Sequence, residues 1–335
     1  MGATLDPALR HGVGASEVAA LFGLHPYLTP LGLYTRILGI GTGHETIAQR
    51  RGTRIEGYLA GEYAEREGLF PTASPHAARD GGPWLLDGET QRHPEHRLLI
   101  ASPDRVVVRD GQPVRLVEIK TARSRAGWAD PDETPDGVPD HYALQVQHQL
   151  LVGVDVGGRH FWPQEAHLVA SVGHLDDFRV YTIQASPAVH RAILERVERF
   201  WAEHVEPRVP PAWDGSDAGS ALLRAMYPED RLPLEPAPPE AEPIMAELRR
   251  ARADVEAAQA REATAKQIVE AIIGDRQGLA GRGWRVTWKR AKDSRSVDWE
   301  AVAKAACATP ALIEQHTSVR PGTRRFLPRW DEEAT

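Results

Sequence analysis

Two acids and a lysine stand close together in residues 98–121, LLIASPDRVVVRDGQPVRLVEIKT. Asp104 follows a proline, and Glu118 and Lys120 flank Ile119. Strand residues two apart project from the same face. Glu118 and Lys120 therefore point together, with the Ile119 carbonyl between them in the chain. Asp104 opens the neighbouring strand, and pairing of the two strands brings Asp104 and Glu118 toward one ion. Two carboxylates and a backbone carbonyl form a hard oxygen site suited to Mg²⁺ or Mn²⁺. A lysine beside such a site can hold an attacking water or stabilise charge on a phosphate. The competing reading is a Glu–Lys pair on a solvated strand face, and a bare Glu-x-Lys does not separate the two.

That convergence requires a hairpin. Residues 98–101, 105–108 and 114–119 read as strands, and Arg109-Asp110-Gly111-Gln112 supplies an Asp-Gly turn. Upstream, ASEVAALFGLHP reads as a short helix with Ser16 as N-cap, Glu17 in the first turn and Gly23 as its stop. PLGLYTRILG reads as another. Residues 50–68 predict a longer helix with Ile55, Leu59 and Tyr63 as its apolar stripe, Glu56 beside that stripe and Gly68 at its end. Residues 71–97 read as loop-rich. Downstream, an acidic, Pro-rich loop (130–140) precedes a helix over HYALQVQHQLLVG, closed by Gly153. On that helix Gln145 and Gln149 share a face, whereas Gln147 points elsewhere. HLVASVG and FRVYTI alternate as a second strand pair. SPAVHRAILERVERFWAEHV is an amphipathic helix with Ser186 as N-cap and Pro187 in the first turn. This order of elements predicts an α/β core.

The 335 residues suggest one large domain with a smaller appendage. A composition of 41% hydrophobic and 26% charged residues is that of a globular protein. No apolar run approaches a membrane span. MGATLDPALRHG lacks a signal-peptide or myristoylation pattern, so a cytoplasmic protein is expected. The single cysteine, Cys307, excludes an internal disulfide framework, a cysteine-based zinc site and an iron–sulfur cluster. The net charge of −7 excludes a uniformly basic nucleic-acid binder. Residues 282–329 nevertheless carry eleven Lys/Arg against four Asp/Glu.

A Pro-rich linker (227–243) precedes small or apolar residues at 244, 248, 251, 255, 258, 265, 269 and 272, interrupted by Glu262. That spacing suits a long helix with a coiled-coil-like seam, packed on its own domain or on a second copy. GWRVTWKRAKDSRSVDWEAVAKA then reads as a short strand pair and a helix. Its Trp284, Trp288, Lys289, Arg290, Lys292 and Arg295 could meet nucleic-acid backbone or bases. The alternation of Trp284, Val286 and Trp288 favours instead a small domain with its tryptophans packed inward.

Five motifs in order resemble the PD-(D/E)XK nuclease superfamily, and within it the YqaJ-like, lambda-type exonuclease family of viral recombinases. They are GVGASEVAALFGLHPYLTPLGLY, RRGTRIEGYLA with its Gly-x-x-x-Glu helix, IASPDRVV, VEIKTA and YALQVQHQLLV, together covering roughly residues 9–183. The resemblance implies a restriction-endonuclease-like core over residues 1–226, a central mixed β-sheet flanked by helices. Residues 244–335 then form a C-terminal helical and small α+β appendage. It implies that Asp104 and Glu118 bind Mg²⁺ or Mn²⁺ with the Ile119 carbonyl, that Lys120 serves the water nucleophile, and that Glu56 reaches the same site through metal or water. It further implies a DNA 5′-phosphate anchor at Arg10 and Ser16, with Ser102 as a second phosphate candidate. Glutamines of the following helix, Gln145 first and then Gln147, would contact the DNA backbone.

Two departures stand out. The family's usual glycine after the catalytic aspartate is Arg105 here. The acid expected about ten residues before Ser-Pro-Asp falls near Pro94, with Glu95 as the stand-in. The implied activity is metal-dependent hydrolysis of linear double-stranded DNA from its ends, 5′→3′, in phage-type recombination. Such an enzyme works beside a single-strand annealing protein, and relatives close into homo-oligomeric rings. The alternatives are a structure-specific endonuclease on the same fold and a DNA-end-binding scaffold with a degenerate site.

Overall fold

The chain doubles back at Asp110 and Gly111, whose φ values are 50° and 72°. Both lie in the left-handed region that glycine enters freely and aspartate tolerates. The computed structural model describes residues 11–40, 47–72, 82–174, 176–290, 299–306 and 308–317. Contacts divide the chain into two units, Met1–Pro228 and Glu229–Thr335.

The first unit begins with β1 (Val13–Gly14), a 3-10 helix (Ala15–Phe22), α1 (Pro30–Ile37) and α2 (Ile47–Glu67). Four short strands follow: β2 (Phe70–Thr72), β3 (Trp84–Asp87), β4 (Gln91–Arg92) and β5 (Leu99–Ala101). The hairpin arms are β6 (Arg105–Arg109) and β7 (Gln112–Ala122). Then come α3 (Asp140–Val152), β8 (Val154–Val156), β9 (Arg159–Phe161), β10 (Glu165–Val172), β11 (Phe178–Gln184), α4 (Pro187–Phe200) and α5 (Asp217–Met226).

The central sheet is mixed and six-stranded, in the order β11-β10-β7-β6-β3-β2. β6 and β7 pair antiparallel, Arg105 opposite Val117, with a register shift between Val107 and Val108. β7 and β10 pair parallel, Glu118 opposite Leu168, so the crossover between them carries α3. On one face of the sheet, Leu59 and Tyr63 of α2 pack on Leu85, Val107, Val117 and Ile119. On the other, Val146 and Leu150 of α3 pack on Val106, Val108, Leu116 and Leu168. Strand alternation then assigns Glu118 and Lys120, like Leu116, to the α3 face. The expected α/β class, a central mixed sheet flanked by helices, is what the structure has.

A second sheet, ordered β1-β5-β4, lies over the 3-10 helix and α1. β1 and β5 pair parallel, Gly14 opposite Ile100, so Ser16 and Ser102 both follow the C-terminal ends of neighbouring strands. Two expectations are corrected here. Ser16 is not the N-cap: the chain leaves β1 extended at Gly14 (ψ 151°), which caps the helix, and Ser16 already lies inside the first turn. Glu17 reaches back from the first turn and accepts the Gly14 N–H at 3.2 Å. Residues 71–97 are not simply loop, since they include β3, an inner strand of the main sheet. At two to four residues, β3 and β4 are too short to display a period.

In the second unit, α6 (Ala241–Ile273) runs for 33 residues, and Ile273 alone among them is buried. The seam residues Ile244, Val255 and Ile272 are exposed. β12 (Gly278–Gly281) and β13 (Trp284–Thr287) form a two-stranded ribbon, followed by α7 (Trp299–Ala305) and α8 (Pro310–Gln315). Trp284 and Trp288 are 56% and 52% exposed, which corrects the inward packing expected of them. A two-stranded ribbon has no second layer of its own to cover such side chains. Cys307, Lys292 and Arg295 lie outside the described residues.

Candidate active site

β7 passes through the middle of the sheet, and its Glu118 is only 2% exposed. A buried carboxylate needs partners for its lone pairs. Here α3 provides them: Gln145 Nε2 donates to Glu118 Oε1, and Gln149 Nε2 donates to Oε2 at 2.6 Å. Lys120 Nζ, two residues along the same strand face, also meets Oε1. The i, i+4 spacing of Gln145 and Gln149 thus puts one amide on each oxygen of a single carboxylate.

Asp104 stands just before β6, opposite Glu118. Its Oδ2 accepts the Ile119 N–H at 2.6 Å. The N–H and C=O of one strand residue point to the same edge, so the Ile119 carbonyl also faces the Asp104 side. Burial, then the neighbouring Glu118 charge, push the Asp104 carboxyl up to about 7, against the opposing pull of Lys120 and the Ile119 N–H. Burial acts to lower the Lys120 pKa, but Glu118 and Asp104 outweigh it and raise it overall. Lys120 is therefore a cation at neutral pH, fixed against a carboxylate and 5.4 Å from the Tyr142 ring centre.

Glu56 occupies the other face. It projects from α2 and its Oε1 accepts from Arg105 Nη1 at 2.8 Å. Arg105 also reaches Asp87 Oδ1 through Nε at 3.1 Å, and the Asp104 carbonyl through Nη1 at 2.6 Å. Arg105 and Asp87 are direct cross-strand partners on β6 and β3. Arg105 thus ties a helix acid to a strand acid that sequence reasoning did not single out.

The structure brings Asp104, Glu118, Lys120 and the Ile119 carbonyl together, and places Glu56 on Arg105, near enough to add its charge to the push on Asp104. Gln145 is buried on Glu118. Gln147 is turned away: it donates to the Gln184 carbonyl at 2.7 Å and accepts the Ser186 N–H at 2.9 Å, joining α3 to the start of α4. Ser16 and Ser102 are exposed, with Ser102 Oγ 2.8 Å from Thr90 Oγ1. Arg10 lies outside the described residues. Glu95 is exposed beyond β4, while Asp87 holds the position beside Arg105. A cleft runs past the end of β7, lined by Tyr27, Ile55, Thr121, Arg123, His141 and Tyr142 among others.

Among the described residues, no group of three or more His, Cys, Asp or Glu side chains is arranged to hold a metal ion. The donor set at Asp104 is nonetheless of the right chemistry for one. Burial and the Glu118 charge both disfavour an ionised Asp104, and a cation between the two carboxylates offsets both.

Residues 7–155 match the YqaJ-like viral recombinase domain. Glu56, Asp104, Glu118, Lys120 and both Glu118-binding glutamines fall within the matched residues, whereas β10 and α4 lie beyond them. The uncharacterized protein YqaJ of Bacillus subtilis is 25% identical over 224 residues, which is 66% of this chain. The match spans 61% of that relative's length. An alkaline exonuclease from Laribacter hongkongensis is 23% identical, covering 59% of this chain and 90% of that one at a TM-score of 0.40. A phage-related exonuclease from Haemophilus somnus 129PT is 10% identical, covering 58% and 96% at a TM-score of 0.41. Among the described residues, no helix is long and apolar enough to cross a membrane.

Proposed function

We propose that this protein is a metal-dependent deoxyribonuclease that degrades linear double-stranded DNA from its ends. One observation carries the reading: a carboxylate buried at the centre of a sheet, held on both oxygens by glutamines and faced by a fixed lysine and a second, proton-hungry carboxylate. A protein seldom buries two acids together for stability alone, because breaking or leaving such charges uncompensated is costly. The YqaJ-like match over residues 7–155 supports DNA recombination as the setting.

Asp104, Glu118 and the Ile119 carbonyl would hold Mg²⁺ or Mn²⁺, which when bound supplies Lewis acidity and an acidified water. Gln145 and Gln149 fix the Glu118 carboxylate so that it does not rotate as charge builds. Lys120, held protonated, orients a water and stabilises developing charge on the phosphate. The cleft along Arg123, Thr121 and Tyr142 receives the DNA backbone. Ser16, Ser102 and Arg10 anchor the terminal 5′-phosphate, which favours 5′→3′ polarity. Gln147 serves the joint between α3 and α4. A single-strand annealing protein as partner, and ring-like self-association, belong to the same reading.

The test compares linear and closed circular duplexes, with and without 5′-phosphates, in Mg²⁺ or chelator. Acid-soluble nucleotide released only from linear, 5′-phosphorylated DNA in Mg²⁺ is the expected result. Cutting of closed circles would instead establish an endonuclease. Lys120→Ala should lower the rate by at least about 10²-fold, the scale of one lost electrostatic contact, while DNA binding persists. Full activity in that variant removes Lys120 from the mechanism.

A further inference from the structure

The geometry points to Arg105 as a built-in counter-ion that occupies Glu56 and Asp87, so that the site takes a single divalent ion. This inference rests on the reading of Asp104 and Glu118 as the metal site. Arg105 is largely enclosed, its side chain 17% exposed. Its guanidinium spans Glu56 Oε1 at 2.8 Å and Asp87 Oδ1 at 3.1 Å, and its Nη1 also takes the Asp104 carbonyl at 2.6 Å. A planar donor fork reaching two carboxylates satisfies them much as a bound cation does.

The cluster holds four acids, Glu56, Asp87, Asp104 and Glu118, against two fixed cations, Arg105 and Lys120. The remainder is two negative charges in all, one on the Glu56–Asp87–Arg105 side and one on the Asp104–Glu118–Lys120 side, too few to balance two divalent ions. The two halves also lie on opposite faces of the sheet: Arg105 is paired with Val117, on the α2 side, whereas Glu118 meets α3. Replacing Arg105 by glycine leaves Glu56 and Asp87 with no cation between them. A second ion is then needed where the guanidinium was. Arg105 touches none of the reacting atoms and is a positioning residue.

Mn²⁺ titration of the metal-free full chain, followed by calorimetry and by the free-Mn²⁺ electron paramagnetic resonance signal, tests this without an activity readout. The wild type should bind one Mn²⁺ per chain. Arg105→Gly should bind two, and adding Glu56→Gln should return the count to one. Arg105→Lys should keep one. Should Arg105→Gly fold poorly, Arg105→Gln removes the charge at similar size and should also bind two. Two ions on the wild type, or one on both Arg105→Gly and Arg105→Gln, overturns the inference alone. No ion on the wild type overturns the metal-site reading, and the inference with it.

Discussion

Asp104 is the residue on which proton and metal ion compete. Burial and Glu118 push its carboxyl up to about 7, whereas an unfolded aspartate titrates near 3.9. Between those values the folded chain holds a proton that the unfolded chain has released. Asp104 therefore contributes stability that is fully present below about 3.9 and lost as pH rises through about 7. His148 and His167 work the other way. Burial lowers them to about 3 and about 4, so their contribution is lost as pH falls below about 6.5. Asp104→Asn isolates the first effect from the second. Without metal, the variant should gain in urea midpoint over the wild type at pH 8 and show little gain at pH 5. An equal gain at both would show that Asp104 is not the group responsible. Mn²⁺ affinity of the wild type should rise with pH and level off above about 7, since the ion must displace that proton.

At the scale of elements, the hairpin and the short strand beside it decide where Asp104 sits. Gly88 follows β3, and its N–H donates to the Asp104 carbonyl at 3.0 Å. A Cβ placed on Gly88 would come 1.7 Å from the Pro103 carbonyl oxygen, so the backbone carrying Asp104 must move. Gly88→Ala should cost about 1–3 kcal/mol of stability and weaken Mn²⁺ binding. Gly61→Ala, on α2 with open space around it, should be neutral or slightly stabilising. Thermal unfolding and Mn²⁺ titration of the pair check this, and unaltered Mn²⁺ affinity in Gly88→Ala would contradict it.

The hairpin itself was legible in the sequence, because Asp-Gly has one common structural use and the flanking residues are β-formers. So were the α4 cap at Ser186 and the stop of α2 at Gly68, where φ is 63°. Each of these signals is local. The cap at Gly14 was hidden because an extended glycine, with no side-chain acceptor of its own, performs it. The glutamines could be assigned a shared face, but not what that face meets, since the carboxylate they serve lies about thirty residues upstream. Arg105 was visible only as an oddity. Its partners come from α2 and β3, and no spacing rule connects those to β6.

At the scale of the whole molecule, the parallel pairing of β7 with β10 has a consequence for the order of assembly. Leu116–Ala122 meets Ala166–Val172, some fifty residues later, and α3 lies in between. The β6–β7 hairpin is local and can close early, with Asp104 and Glu118 still in water. The two acids lose that water only when α3 docks and brings Gln145 and Gln149 with it. Acid burial and the amides that make it tolerable thus arrive in one event, and the chain never holds the naked pair. Gln149→Ala should therefore accelerate unfolding while leaving the refolding rate near that of the wild type, as measured by stopped-flow in urea. A slowed refolding arm would instead place the glutamine lock at the start of folding, before the sheet is complete.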